Sequence, residues 1–256
     1  MTGGCDTIAM MEPYDLLAHL ARDGGDFAEA CIAAGMESEV PSCPGWNVSD
    51  LLWHLAEVHY FWRTIVAEQR ATWEGYEQPE RPADADLPEF YRNGLAETVT
   101  VLAAAHPQQA NWTWSHQRDA GFVIRRMAHE TAMHLWDAQQ AGGRERAIDA
   151  SLASDGIDEF LDHFLFLSLG GDAGVADEVA GSVHLHCTDV PGEWTVRPMD
   201  GGGFSLTREH AKGDAAMRGP ASDLLLVLWR RRPMDTIDIL GDGGVAGRFI
   251  AHSSLE

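Results

Sequence analysis

The sequence predicts a helical bundle of about 170 residues followed by an α+β domain of about 80. Three observations lead there. Between residues 14 and 169 the chain carries five stretches with apolar residues at helical spacing, punctuated by cap residues, prolines and glycines. Near residue 172 the pattern changes to short alternating or apolar runs separated by glycine turns. Of the 256 residues 45% are hydrophobic, enough for a core in each part, and 23% charged with 9% aromatic excludes a disordered chain. The expected boundary separates residues 1–171 from residues 172–256.

The first helix is expected from about Tyr14 to Gly35, with Leu16, Leu17, Leu20 and Phe27 inward and Gly24-Gly25 weakening its middle by up to ~1 kcal/mol each relative to alanine. After the turn segment VPSCPGWNVSD, Asn47 or Ser49 caps a second helix that runs to about Arg70. A third covers about Leu87 to His106. A connector with two exposed-looking tryptophans, Trp112 and Trp114, leads to a fourth from about Gly121 to Ala141. The fifth, about Ala150 to Leu169, stops at Gly170-Gly171. Beyond it SVHLHCTD, EWTVRP, GFSLTRE and DTIDILGD read as strands, with a helix starting at Ser222 or Asp223 between the last two and a short helix at the end.

The 18 basic and 40 acidic residues give a formal charge of -22. Such a surface repels phosphate backbones and anionic lipid, so neither nucleic acid nor a membrane surface is an expected partner. No apolar run reaches the ~18 residues of a membrane span. The N-terminus MTGGCDTIAMMEPYD has no basic stretch followed by an apolar one, so a cytoplasmic location is expected. Cys5, Cys31, Cys43 and Cys187 are far apart and form no CxxC pair, which reads as free thiols; the lesser alternative is a catalytic cysteine, for which Cys43, between Pro41 and Pro44, is the candidate.

Two helices carry the candidate site. His54 shares a stripe with Leu51, Val58, Phe61 and Ile65, so it is expected to face the bundle, as a core histidine or as a ligand. His59, about 140° further round the helix, is expected at the surface or rim. In FVIRRMAHETAMHLWDAQQA, Glu130 and His134 lie four apart on one face. That pair is either a surface ion pair or a chelating E-x3-H. Combined with His54 it makes an N,N,O set in a bundle core. Two imidazoles and a carboxylate suit zinc, and three protein ligands leave an open, catalytic position. Asp137, on a face that is expected to be partly solvent-facing, is a candidate to support His134, and Arg126 either orients Glu130 or simply pairs with it.

VPSCPGWNVSDLLWHLAEVHYFW resembles the opening signature of mycothiol-dependent maleylpyruvate isomerase-like proteins of actinobacteria. RRMAHETAMHLWDAQQA is similar to their second signature, and GPASDLLLVLWRRR followed by DTIDILGD to their C-terminal domain. The resemblance covers nearly the whole chain. It implies a DinB-like zinc-binding bundle followed by a small sterol-carrier-like α/β domain. It puts the zinc ligands on His54, Glu130 and His134, and implies mycothiol as a low-molecular-weight thiol cosubstrate acting on a small molecule. Arg231 aligns with a family arginine that reaches the active site, where this chain reads Leu228-Trp229-Arg230-Arg231 against the family's frequent LWGR. The alternative for this arginine cluster is a solvated helix cap. The implied chemistry is thiolate addition to an electrophile, as isomerase or S-transferase. The rival readings are a zinc hydrolase using bound water and a binding module without catalysis.

Overall fold

The structure, a computed structural model, describes residues 11–165, 178–200 and 203–253. Cys5 and the Gly170-Gly171 pair lie outside them. A helical bundle is followed by a small mixed-sheet domain, the order expected from the sequence. One compact unit is Met11–Ile148 and the second begins at Asp149.

The first unit holds helices α1 (Pro13–Ala34), α2 (Val48–Ala67), α3 (Leu87–Ala104) and α4 (Ala120–Ala141). Local hydrogen bonds set where two of them start. Asn47 accepts from the Asp50 amide at 2.9 Å and the Asp50 carboxylate accepts from the Asn47 amide at 3.3 Å, a reciprocal cap for α2. Asp119 accepts from the Phe122 amide at 3.0 Å and starts α4. The helices close over Leu20, Phe27, Leu51, Leu52, Leu55, Ile65, Tyr91 and Phe122, all fully buried. Gly24 and Gly25 differ in kind. A Cβ on Gly24 would stand 2.6 Å from Leu95, so the missing side chain lets α1 and α3 approach; Gly25 faces open space.

His59 is a correction to the sequence reading. It is not at the rim but completely buried, with Nε2 2.9 Å from Thr131 Oγ1 on α4 and its ring 5.6 Å from that of Tyr91 on α3. Helix α2 is covered on two sides, by α3 and α4, so the face 140° or so from the His54 stripe is a second buried seam. Burial pushes the His59 pKa from 6.5 down to about 3, against the attraction of Glu130. Below pH 6.5 the unfolded chain therefore takes up a proton that the folded chain refuses. This contribution to stability is whole above pH 6.5 and is lost as pH falls towards 3. The thermal midpoint should drop steeply from pH 7 to 4.5 in the parent and less steeply in His59→Gln; equal slopes would rule His59 out as the cause.

Trp112 and Trp114 are also less exposed than expected: Trp112 stacks on Trp62 at 6.0 Å, and Trp114 meets Phe122 edge-on at 5.0 Å.

The second unit begins with α5 (Ala150–Glu159), which runs on into one π-helical stretch, Phe160–Phe164. The contacts thus divide the chain at residue 148 rather than 171, because α5 packs on α6 (Ala221–Leu228), the helix of the sheet domain. Polar bonds reinforce this. Ser154 donates to the Pro191 carbonyl at 2.9 Å, and Trp194 Nε1 donates to Asp158 at 2.9 Å. An amphipathic helix advertises its apolar stripe, not its partner.

Among the described residues the sheet has five strands: β1 (Val183–Cys187), β2 (Glu193–Pro198), β3 (Phe204–Thr207), β4 (Ala215–Gly219) and β5 (Asp238–Gly241), in the order β3-β2-β1-β4-β5. The sequence reading found four and missed β4. AAMRG has no β-branched or aromatic residue, so nothing local marks it. It is a strand because β1 pairs with it in parallel and β5 antiparallel. Helix α7 (Gly243–His252), capped by Asp242, follows β5. No helix among the described residues is long and apolar enough to cross a membrane.

Candidate metal centre

The candidate ligands come from α2 and α4. The α4 spacing puts Glu130 one turn before His134, and the Asn47 cap sets the register that aims His54 at both. Glu130 Oε1 lies 3.4 Å from His54 Nε2 and 3.2 Å from His134 Nε2. The two imidazole rings meet edge-on at 5.0 Å. One donor atom from each residue lies within 4.8 Å of the others. Exposure is graded: 32% for the His54 side chain, 22% for Glu130 and 8% for His134. His54 is therefore not a core histidine; it stands at the mouth of the site with the Trp46 ring 5.0 Å away.

The next layer of contacts orients these groups. His134 Nδ1 donates to Asp137 Oδ2 at 2.9 Å, which turns Nε2 towards Glu130. Asp137 is fully buried, although its helical position gave no sign of it, and it also accepts from Ser42 Oγ at 2.6 Å. Cys43 Sγ is 3.8 Å from the same carboxylate. The turn segment between α1 and α2 thus supplies Ser42, Cys43 and Trp46 to the site, and only Cys43 was singled out from sequence. A Pro-flanked turn shows no periodicity from which the aim of its side chains can be read. Arg126, one turn before Glu130, approaches Oε2 at 3.2 Å.

The electrostatics favour a cation. Burial by itself raises the Glu130 carboxyl, but the hydrogen bonds from His134 and His54 and the charge of Arg126 outweigh it and hold the group well below its usual range. Burial lowers His134, but hydrogen bonds to Asp137 and Glu130 outweigh that and carry it up to about 9. Two carboxylates thus hold a positive charge between them, as a proton that an entering metal ion would displace.

The donor set fits zinc. Donors around a tetrahedral ion with bonds of about 2.0–2.1 Å lie about 3.3 Å apart, and the spacings here are 3.4 and 3.2 Å. Among the described residues the other thiols are poor ligands: Cys31 and Cys187 are buried, which raises the first thiol strongly and pushes the second up to about 12. No disulfide joins the described cysteines.

Arg231 belongs to the second unit. Its Nη1 donates to the Trp229 carbonyl at 3.1 Å and its amide to the Leu226 carbonyl at 2.7 Å, bonds that close the end of α6. Arg230 donates to the Ile250 and Ala251 carbonyls at the end of α7, each at 2.7 Å, and Arg232 pairs with Asp223 at 2.6 Å.

Two family models match the chain. Residues 17–139 match the mycothiol maleylpyruvate isomerase N-terminal domain, and residues 151–248 match the MDMPI C-terminal domain. The chain belongs to the mycothiol-dependent maleylpyruvate isomerase family. The second family domain starts inside α5, in keeping with where that helix packs. A crystal structure of the mycothiol-dependent maleylpyruvate isomerase is similar over 93% of this chain and 95% of its own, with a TM-score of 0.58 and 11% identity. A histidine-to-alanine mutant of that enzyme matches with the same values. At that identity the likeness concerns the fold. No curated protein sequence matches the chain.

Proposed function

We propose that this chain is a zinc- and thiol-dependent enzyme that adds mycothiol, or a thiol like it, to a small electrophile, as an isomerase or an S-transferase. One observation carries the reading: a three-residue N,N,O set, His54, Glu130 and His134, with His54 and Glu130 still partly exposed. Three protein ligands leave a coordination position for a small molecule. Family membership supports the thiol.

His54, Glu130 and His134 would hold a zinc ion, which would supply the positive charge that lowers the pKa of a thiol. The protein residues do the rest. Glu130 would offset the ion's charge, Asp137 would hold His134 in the tautomer that presents Nε2, and the Trp46 ring covers one side of His54. In the isomerase reading the sulfur adds to one carbon of a conjugated double bond and the electron pair moves onto the activating carbonyl. The former double bond then rotates, and reversal expels the thiol with the alkene inverted. In the transferase reading a proton quenches the carbanion and the C–S bond stays. We assign the cation for a substrate carboxylate to Arg231, on its alignment with the family arginine.

The same ligand set would serve a hydrolase, so the test is turnover of maleylpyruvate and simple conjugated electrophiles with zinc-loaded protein, with and without mycothiol. Turnover that needs the thiol is expected. Ester or amide cleavage without thiol would replace this reading by the hydrolase, and no turnover in either arm by a binding module. In the same assay Arg231→Ala should raise KM for a carboxylate substrate more than it lowers kcat; unchanged kinetics would leave Arg231 as a helix cap.

A further inference from the structure

The sheet domain carries a second group of metal-binding side chains, far in sequence from the first. His184 and His186 alternate on β1 and so point to the same face of the sheet. On the antiparallel neighbour β2, Glu193 stands directly across from His186. His210, in the segment after β3, completes the set. Glu193 Oε2 is 3.2 Å from His184 Nε2 and 2.6 Å from His210 Nδ1, and Oε1 is 2.9 Å from His186 Nδ1. Donor atoms of all four residues lie within 4.8 Å of one another.

Hydrogen bonding by itself leaves this arrangement incomplete. His186 Nδ1 is buried and, despite its closeness to Glu193, forms no hydrogen bond. On the same face Thr195, across from His184, and Thr207, across from Thr195, also bury hydroxyls without a partner. Buried polar atoms are normally satisfied, and three orphans beside one cluster mark a place where a ligand or water is expected. The neighbouring cation on β4, Arg218, is turned to Asp238 at 3.3 Å.

We propose that His184, His186, Glu193 and His210 form a second zinc-class metal site. Three imidazoles and one carboxylate saturate a tetrahedral ion, so this site is closed where the first is open, and its role is structural. It would tie the β1–β2 hairpin to the segment that follows β3, adding to the Ser182–Asp214 hydrogen bonds at the start of β1. The site was invisible in the sequence because an H-x-H on a strand is two residues of an ordinary alternation; the other two ligands arrive only by register and by the path of the loop.

The test is a zinc titration of the metal-free full chain against a chromophoric chelator. Two equivalents are expected in the parent. His54→Ala/His134→Ala should remove one, and His186→Ala/His210→Ala should remove the other or weaken it by about 100-fold or more, since lost direct ligands cost more than the ~10–100-fold of lost outer partners. The His210 side chain is 80% exposed, so His210→Ala by itself cannot disturb packing and should weaken the second equivalent at least tenfold or so. In the His54→Ala/His134→Ala background zinc should still raise the thermal midpoint. Unchanged zinc stoichiometry and affinity in both His210→Ala and His186→Ala/His210→Ala would overturn the second site, whatever happens at the first. Loss of the equivalent assigned to His54 and His134 bears only on the proposed function.

Discussion

Replacing either His54 or His134 with alanine is expected to abolish thiol-dependent turnover and leave the bundle folded. Each variant leaves two of the three proposed ligands. The loss in metal affinity should exceed the ~10–100-fold that follows removal of a merely supporting partner, and activity should fall at least in step. The fold should survive because the core is made by Leu20, Phe27, Leu51, Leu52, Leu55, Ile65 and Phe122, none of them a ligand. His54 stands at the mouth, so its truncation opens no internal cavity. His134 is more enclosed, and its loss takes one partner from buried Asp137, at a cost of about 1–3 kcal/mol. Circular dichroism should therefore stay helical in both variants, with the lower melting point in His134→Ala. Elemental analysis should show less zinc in both. Full turnover from a folded variant depleted of metal would remove the catalytic role of this centre, and an unfolded His54→Ala would make it structural.

The second large effect is expected at Asp137, whose proposed role is to position His134. Its carboxylate is fully buried and accepts from His134 Nδ1 at 2.9 Å and Ser42 Oγ at 2.6 Å. Without it the imidazole loses the bond that fixes its tautomer and ring angle, and Nε2 is no longer held towards Glu130. Asp137→Ala should weaken zinc binding about 10–100-fold and lower kcat at limiting zinc. Saturating zinc should recover much of that loss, which distinguishes a positioning residue from one that reacts. Asp137→Asn keeps an acceptor oxygen of the same shape and should fall between the two. Zinc affinity by competition titration, run alongside turnover at low and high zinc, reads both effects. Equal zinc affinity in parent and Asp137→Ala would mean that packing alone orients His134.

The sequence by itself determined the features whose causes are local. Helices α1 to α4 begin within a few residues of where the sequence pattern put them: Asn47 and Asp119 each accept from the amide three positions on and start α2 and α4, and α1 and α3 have a proline in their first two positions. Glu130 and His134 share a face because the helical repeat brings residues four apart together. What depends on contacts between distant segments was decided only by the tertiary structure. Nothing in α2 says that it is covered on two sides, so the burial of His59 could not be read from its angle to His54. Nothing in α5 says that its stripe belongs to α6 rather than to the bundle. AAMRG becomes β4 only because two strands claim its backbone. Ser42 reaches Asp137 across 95 positions of sequence, and Glu193 gathers three histidines through strand register and a loop. Periodicity records which face of an element is apolar; it holds no information about which other element that face will meet, and that choice rests on the packing of the whole domain.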